Sequence, residues 1–307
     1  MRSDVQSEKP ITVYVALAAN VAIAVTKFIV AGLTGSSAML SEAIHSVIDS
    51  GNELLLLLGV WRGRRAADRR HPYGHGKELY FWALIVAVLL FAVGGGMSIY
   101  EGVDRLLHPR PLRAMGWSLA VLGIAFVFEG VSFLIAWRKL RAKNGPRGTL
   151  FEAFVWSKDP AVYTVVVEDF AALVGLAVAF VAAIVGHVAH TTYADAIASI
   201  VIGVILATVA VFLGRENRGL LLGESASPQV VAELRALAER DEAVRRVECP
   251  LTMHLGPDDL LVNLVVQFHA NLSSRDIVLA IDRIKARIRG AHPEVHHVFV
   301  EPEAGAS

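Results

Sequence analysis

Apolar stretches of membrane length recur through the first two thirds of this chain, at residues 11–33, 37–61, 78–103, 114–137, 161–188 and 193–213. A helix needs about 20 apolar residues to cross a hydrocarbon core, and each of these stretches reaches that length. The segment before the first, residues 1–9, is polar, and the apolar run that follows is too long for a cleavable signal, so it reads as a first span. Composition agrees: 54% of residues are hydrophobic and 19% charged, against about 45–50% and about 25% in ordinary soluble domains.

The connectors differ in charge. Those after the second and fourth spans carry Arg62, Arg64, Arg65, Arg69, Arg70 and Lys77, and then Arg138, Lys139, Arg141, Lys143, Arg147 and Lys158. The alternate connectors carry Arg105, Arg110 and Arg113 between spans three and four, and no cation at 34–36 or 186–192. Basic loops stay cytoplasmic. Both termini are therefore expected on the cytoplasmic side, as an even number of spans requires. The expected location is a bacterial inner (plasma) membrane.

Domains are expected at 1–214, six transmembrane helices, and 215–307, a cytoplasmic α+β domain. In the second, "SPQVVAELRALAER" starts at a capping Ser227 followed by proline, and "SSRDIVLAIDRIKARIRG" is a second amphipathic helix. "LLVNLVVQFHA" and "HHVFVEP" read as strands. A helix, two strands, a helix and a strand give a ferredoxin-like order. A net charge of +0 gives no reason to expect nucleic acid. The single Cys249 excludes an intrachain disulfide.

The second span is the one that needs explaining. "SEAIHSVIDSGNELLLLL" places Glu42, His45, Asp49, Asn52 and Glu53 at spacings of three and four, which is one stripe of a helix. The fifth span adds Glu168 and Asp169. Carboxylates within a membrane cost several kcal/mol unless paired, hydrated or bound to a cation. Several acids with one imidazole suit a divalent metal: Zn²⁺ accepts both donor types, and Mn²⁺ or Fe²⁺ fits where oxygens outnumber nitrogens. A bound metal must displace protons from the same atoms, which is the minimum an exchanger requires. The competing structural reading is a helix-packing network or a water-filled crevice. Lys27 is expected to snorkel to the interface, Asn20 and Glu129 to line the path, and Gly94-Gly95-Gly96 to let helices approach closely. No HExxH or paired-histidine zinc sequence occurs in a span, so a transporter is expected rather than an enzyme.

"MLSEAIHSVIDSGNELLLL", "HPYGHGKE", "EDFAALVG" and "ADAIASIVIGVILATVAVFL" together resemble the cation diffusion facilitator family, with "HPYGHGKELYFWALIVAVLLFAVGGGMSIYEG" most similar to its mitochondrial-type zinc transporter branch. The resemblance covers nearly the whole chain. It implies a homodimeric metal/proton antiporter in a lipid bilayer, with six spans and a cytoplasmic ferredoxin-like domain. Zn²⁺ is then the transported substrate and no cofactor is needed. It also implies a transport site at His45 and Asp49 on span two and Asp169 on span five. The remaining ligand position of that pattern is Val165, which cannot ligate; Glu168 is the first candidate to replace it, with Glu42, Asn52 or water behind it. A family loop site would fall on Asp68 and His75, with His71 nearby; the alternative is a solvated basic loop. Asp195 matches a family position at the start of span six, and it joins Glu42, Asn52 and Glu53 as a pathway or proton-handling group. The family's tail-domain zinc pattern is lost here, where Phe299-Val300-Glu301-Pro302 replaces its His-x-acid-Pro ending. His254, His269, His296 and His297 therefore read as surface histidines. Two rival expectations stand beside a Zn²⁺ exporter: Mn²⁺ or Fe²⁺ as substrate, and a non-transporting partner of a transporting relative.

Overall fold

The structure is a computed structural model describing residues 10–109, 115–144 and 159–303. The described residues fall into two compact units. One is drawn from Met1–Leu58, Trp82–Arg147 and Ala161–Arg215; the other from Gly59–Phe81, Gly148–Pro160 and Glu216–Ser307. The last division along the chain falls at Arg215/Glu216, and the second unit also takes in Gly59–Phe81.

The membrane unit is built from α1 (Pro10–Thr34), α2 (Ser37–Gly63), α3 (Glu78–Leu89), α4 (Gly96–Leu107), α5 (Met115–Asn144), α6 (Pro160–Val188) and α7 (Tyr193–Leu222). One six-residue π turn, Leu90–Gly95, joins α3 to α4, so that pair forms a single span, Glu78–Leu107. Among the described residues, five helices are long and apolar enough to cross a membrane; α1 has 25 residues, its part Asn20–Thr34 being a shorter apolar helix. This is an integral membrane protein. The helices are apolar nearly all round because one face packs on neighbouring helices and the other meets hydrocarbon: Val86 and Leu90 are buried, while Val88 and Phe91 are exposed.

Several helices outrun the apolar stretches. α5 continues to Asn144 and α7 to Leu222, because hydropathy marks where lipid ends whereas backbone hydrogen bonding sets where a helix ends. Arg138 therefore extends a helix rather than lying in a connector. The expected Asn144-Gly145-Pro146 turn falls largely outside the described residues, as do Arg110, Arg113, Arg147 and Lys158. Arg105 is not a loop cation: it is buried on α4, and its guanidinium donates to the carbonyl of Gly35, just past the end of α1.

Small residues set the closest helix crossing. A Cβ added at Gly203 on α7 would sit 2.8 Å from the Gly95 carbonyl oxygen and 2.7 Å from Ile99; one at Gly102 would lie 2.8 Å from the Ala196 oxygen. Gly95 therefore has the packing role expected of the triple glycine, with Gly203 of α7 facing it and Gly102, on the same span as Gly95, packing on Ala196 and Ile200 of α7.

The second unit holds α8 (Pro228–Glu239), β1 (Val244–Val247), β2 (Leu251–Gly256), β3 (Asp259–Phe268), α9 (Ser274–Ala291) and β4 (Val295–Glu303). β1 and β2 both pair antiparallel with β3, on its C-terminal and N-terminal halves respectively, and β4 pairs parallel with it. They are two halves of one edge, interrupted at Pro250, which has no N–H to give a ladder. The ferredoxin-like order is present, with its first strand broken. Leu260, Val262, Leu264 and Val266 alternate onto one buried face of β3, against Leu234 and Ala238 of α8 and Ile284 and Ile288 of α9. Ser227 caps α8 and a Ser273–Asp276 capping box starts α9.

Candidate metal sites in the membrane and in the first connector

The α2 stripe forms because 3.6 residues per turn bring Glu42, His45, Asp49, Asn52 and Glu53 to one side. Glu42, His45 and Asn52 are buried to 1% exposure or less, and Glu168 on α6 to 5%. The imidazole Nε2 of His45 lies 3.4 Å from the Asp49 carboxylate. Asn52 donates to Glu168 at 2.7 Å, and Ser132 on α5 donates to Asp169 at 2.7 Å. Asn20 donates to Glu53 at 2.9 Å. Charge repulsion links Asp49 to Glu168, Asp169 and Glu129.

His45, Asp49, Glu168 and Asp169 are therefore electrostatic neighbours, yet they are not drawn into one tight cluster of donors. Among the described residues, the group of three or more whose donor atoms all lie within 4.8 Å of one another is Asp68, His71 and His75. What the membrane stripe shows is unmet hydrogen-bonding capacity. Both ring nitrogens of His45, Oδ1 of Asp49, Oε1 of Glu42 and Oδ1 of Asn52 are buried without a hydrogen bond. Buried polar atoms are nearly always satisfied, so an imidazole and carboxylates left open along one helix face are donors of the kind a divalent cation takes. Val165 lines a crevice of about 250 Å³ shared with Ser132, Ile135, Ala136, Ala161 and Val162. The polar side chain across that crevice is the Ser132 hydroxyl already held by Asp169.

One expectation is overturned. Lys27 does not reach an interface: its side chain is wholly buried, with Nζ donating to Ser46 at 2.7 Å and lying 3.4 Å from Glu42. A lysine in an apolar run looks free to snorkel, but here the helix face it occupies turns inward onto α2. Glu42 is accordingly an ion-pair partner of α1 as well as part of the stripe, and Gly175 makes room for it: a Cβ there would lie 2.7 Å from Glu42 Oε1. Asp195 is also fully engaged. It accepts from the backbone N–H of Ser37 at 2.6 Å, from the Ser37 hydroxyl at 2.7 Å and from the Ser36 hydroxyl. Those are unpaired donors at the start of α2, so Asp195 tethers the N-terminus of the site helix to α7. Ser46 and Ser132 were missed altogether, since a serine in a span carries no signal until its partner is known.

In the second unit, "DRRHPYGHGK" folds into a tight loop. Asp68 accepts from the backbone N–H groups of Arg70 at 2.7 Å and His71 at 2.6 Å. The His71 bond, assisted by that from Arg70, holds the Asp68 carboxyl below its usual range and so keeps it anionic. His71 Nδ1 and His75 Nε2 stand 3.3 and 3.5 Å from that carboxylate. Gly74 adopts a positive φ of 88° to turn the chain between the two histidines. Gly76 permits contact with β2, since a Cβ there would lie 2.4 Å from the Leu255 carbonyl oxygen. The loop thus gathers three donors within 4.8 Å of one another, with Asp68 and His71 exposed to solvent.

Comparison with known proteins agrees with this architecture. The family model described as the cation efflux transmembrane domain matches residues 13–222. The chain is 30% identical over 306 residues to the mitochondrial proton-coupled zinc antiporter SLC30A9 of Xenopus laevis, covering 87% of this chain and 55% of that protein. It is 34% identical over 250 residues to the protein of that name from Mus musculus, covering 81% and 44%. It is 31% identical over 271 residues to metal tolerance protein C4 of Arabidopsis thaliana, covering 88% and 59%. The chain thus spans about half the length of the curated relatives it matches. Among solved structures, the nickel form of a MamM C-terminal domain variant matches at 19% identity with a TM-score of 0.25, covering 26% of this chain and all of that one.

Proposed function

The chain belongs to the cation efflux (cation diffusion facilitator) family, near its mitochondrial zinc-antiporter branch, and from that premise we propose that it exports Zn²⁺ from the cytoplasm in exchange for protons. The observation that carries this is the charge imbalance inside the membrane unit. Glu42, Asp49, Glu53, Glu129, Glu168 and Asp169 come from three helices and repel one another, and the buried ammonium that answers them is Lys27. Such a set is costly in a low-dielectric interior unless protons or a metal balance it. Alternating occupancy by those two kinds of cation is what an antiporter does.

In this reading His45 and Asp49 hold the metal from α2 while Asp169 and Glu168 approach from α6. Glu168 replaces the ligand missing at Val165, and Asn52 and Ser132 hold the two α6 carboxylates in orientation. The protein works as a homodimer, with its termini and the second unit on the cytoplasmic side of a bacterial inner membrane. The Asp68, His71 and His75 loop is a second metal position. The similarity to proton-coupled zinc antiporters supports zinc as substrate and proton coupling.

Asp49→Ala in proteoliposomes is expected to abolish Zn²⁺ flux driven by a pH gradient; flux within twofold of the parent would remove the transport site from α2. His45→Asp replaces a borderline nitrogen by a hard oxygen and should move selectivity from Zn²⁺ toward Mn²⁺, measured as the ratio of the two fluxes. A parent protein that carries no metal at all would favour the non-transporting alternative.

A further inference from the structure

We propose a third metal position, on the second unit, formed by Asp259 with His296 and His297 and taking a borderline divalent cation such as Zn²⁺ or Co²⁺. These residues lie away from the Phe299-Val300-Glu301-Pro302 position, where the tail-domain zinc pattern is lost.

The first argument is register. His296 and His297 are consecutive on β4, and on a regular strand consecutive side chains face opposite sides of the sheet. The β3–β4 ladder slips at this point: Val295 pairs with Leu260 and His297 with Leu261, leaving His296 as the extra residue. A bulge re-aims a side chain. Here both imidazoles reach one carboxylate at the start of β3, with His296 Nδ1 at 3.3 Å and His297 Nε2 at 3.9 Å from Asp259 Oδ1.

The second argument is that this oxygen is buried and has no hydrogen-bond partner, although two ring nitrogens flank it. Two donors on a tetrahedral zinc with bonds of about 2.0–2.2 Å stand roughly 3.4 Å apart. The His296 distance of 3.3 Å matches that edge and the 3.3 and 3.5 Å of the Asp68 loop, while His297 at 3.9 Å stands farther out. The Asp259 set is the looser of the two, since its donors do not all fall within 4.8 Å of one another. Closing it takes a rotation of His296, whose side chain is 59% exposed. His297 is already steadied by the Tyr73 ring, edge-on at a centroid distance of 5.2 Å. Two imidazoles and one carboxylate leave a fourth position for water, which makes this an exchangeable site rather than a closed structural one.

The site is tested by binding and stands apart from transport. Full-length protein in detergent is dialysed to equilibrium against Zn²⁺ and the bound metal counted per chain. This is done for the parent, Asp259→Asn and His296→Gln/His297→Gln, each with and without Asp68→Ala/His71→Ala/His75→Ala. One equivalent per chain should be lost in both Asp259→Asn and the double histidine variant, in either background. With Co²⁺, the same variants should lose a tetrahedral absorption band that survives in the loop variant. Unchanged stoichiometry and cobalt spectrum in a variant that elutes and melts like the parent overturns the site. Asp259→Asn keeps the side chain's shape, so it decides the matter if the double variant does not fold.

Discussion

The two units handle polar groups in opposite ways. In the second unit several charges have a local answer, the buried Asp259 Oδ1 being an exception. Asp241 is held by Arg283 through two hydrogen bonds of 2.9 and 2.7 Å, with Arg287 at 3.6 Å, and Ser227 and Ser273 satisfy the helix starts. In the membrane unit the interior keeps open acceptors and six mutually repelling acids. The first pattern is what folding stability selects; the second is tolerated only where another cation completes it. The difference teaches where to look for function: among buried polar atoms without partners rather than among ion pairs.

The sharpest way to break that contrast is at Lys27. Lys27→Met leaves Glu42 buried opposite no ammonium, and removing one member of a buried pair costs about 3–5 kcal/mol. Adding Glu42→Gln should restore most of that loss, read as thermal unfolding of the detergent-solubilised protein. If the single variant is as stable as the parent, Lys27 does not balance the charge of Glu42.

A smaller effect is expected from Gly203→Ala. The added Cβ would meet the Gly95 carbonyl and Ile99 at under 3 Å, and overpacking of this kind costs about 1–3 kcal/mol. The same change at Gly123, where nothing lies within 4 Å, should leave the melting temperature unmoved, so the two together measure packing rather than glycine chemistry.

The smallest effect belongs to the well-answered charge. Hydrogen bonds from Arg283 hold the Asp241 carboxyl below its usual value of 3.8. A group depressed on folding stabilises above its unfolded pKa and loses that contribution as pH falls through its folded pKa. Asp241→Asn should therefore lower the unfolding temperature modestly at neutral pH, and the difference should shrink once the pH drops below about 4. A difference that persists unchanged to lower pH would assign it to geometry instead of charge.

Much of this was legible in the sequence because its cause is local. Membrane-length apolar runs, the three-four spacing of the α2 stripe, the Ser227 cap and the alternation of β3 all follow from chain period and burial. The loop trio was legible as well, since three donors within eight residues need only one turn at Gly74 to meet. What was not legible depends on which faces meet. Lys27 looked like an interfacial lysine because nothing in α1 says which way that face turns. The tether made by Asp195 was not legible because its partners, Ser36 and Ser37, lie 158 or more positions away. The approach of His296 and His297 to Asp259 was not legible because it follows from one slipped register, invisible in the strand itself.

By itself the sequence determined the class of solvent each segment meets, the helical face that carries the acids and the order of elements in the second unit, because hydropathy and periodicity are properties of neighbours along the chain. Only the tertiary structure decided which acid is paired, which is spent on capping a helix and which is left open. Those outcomes depend on donors brought from other helices to within about 3 Å, and no spacing along one helix encodes that distance.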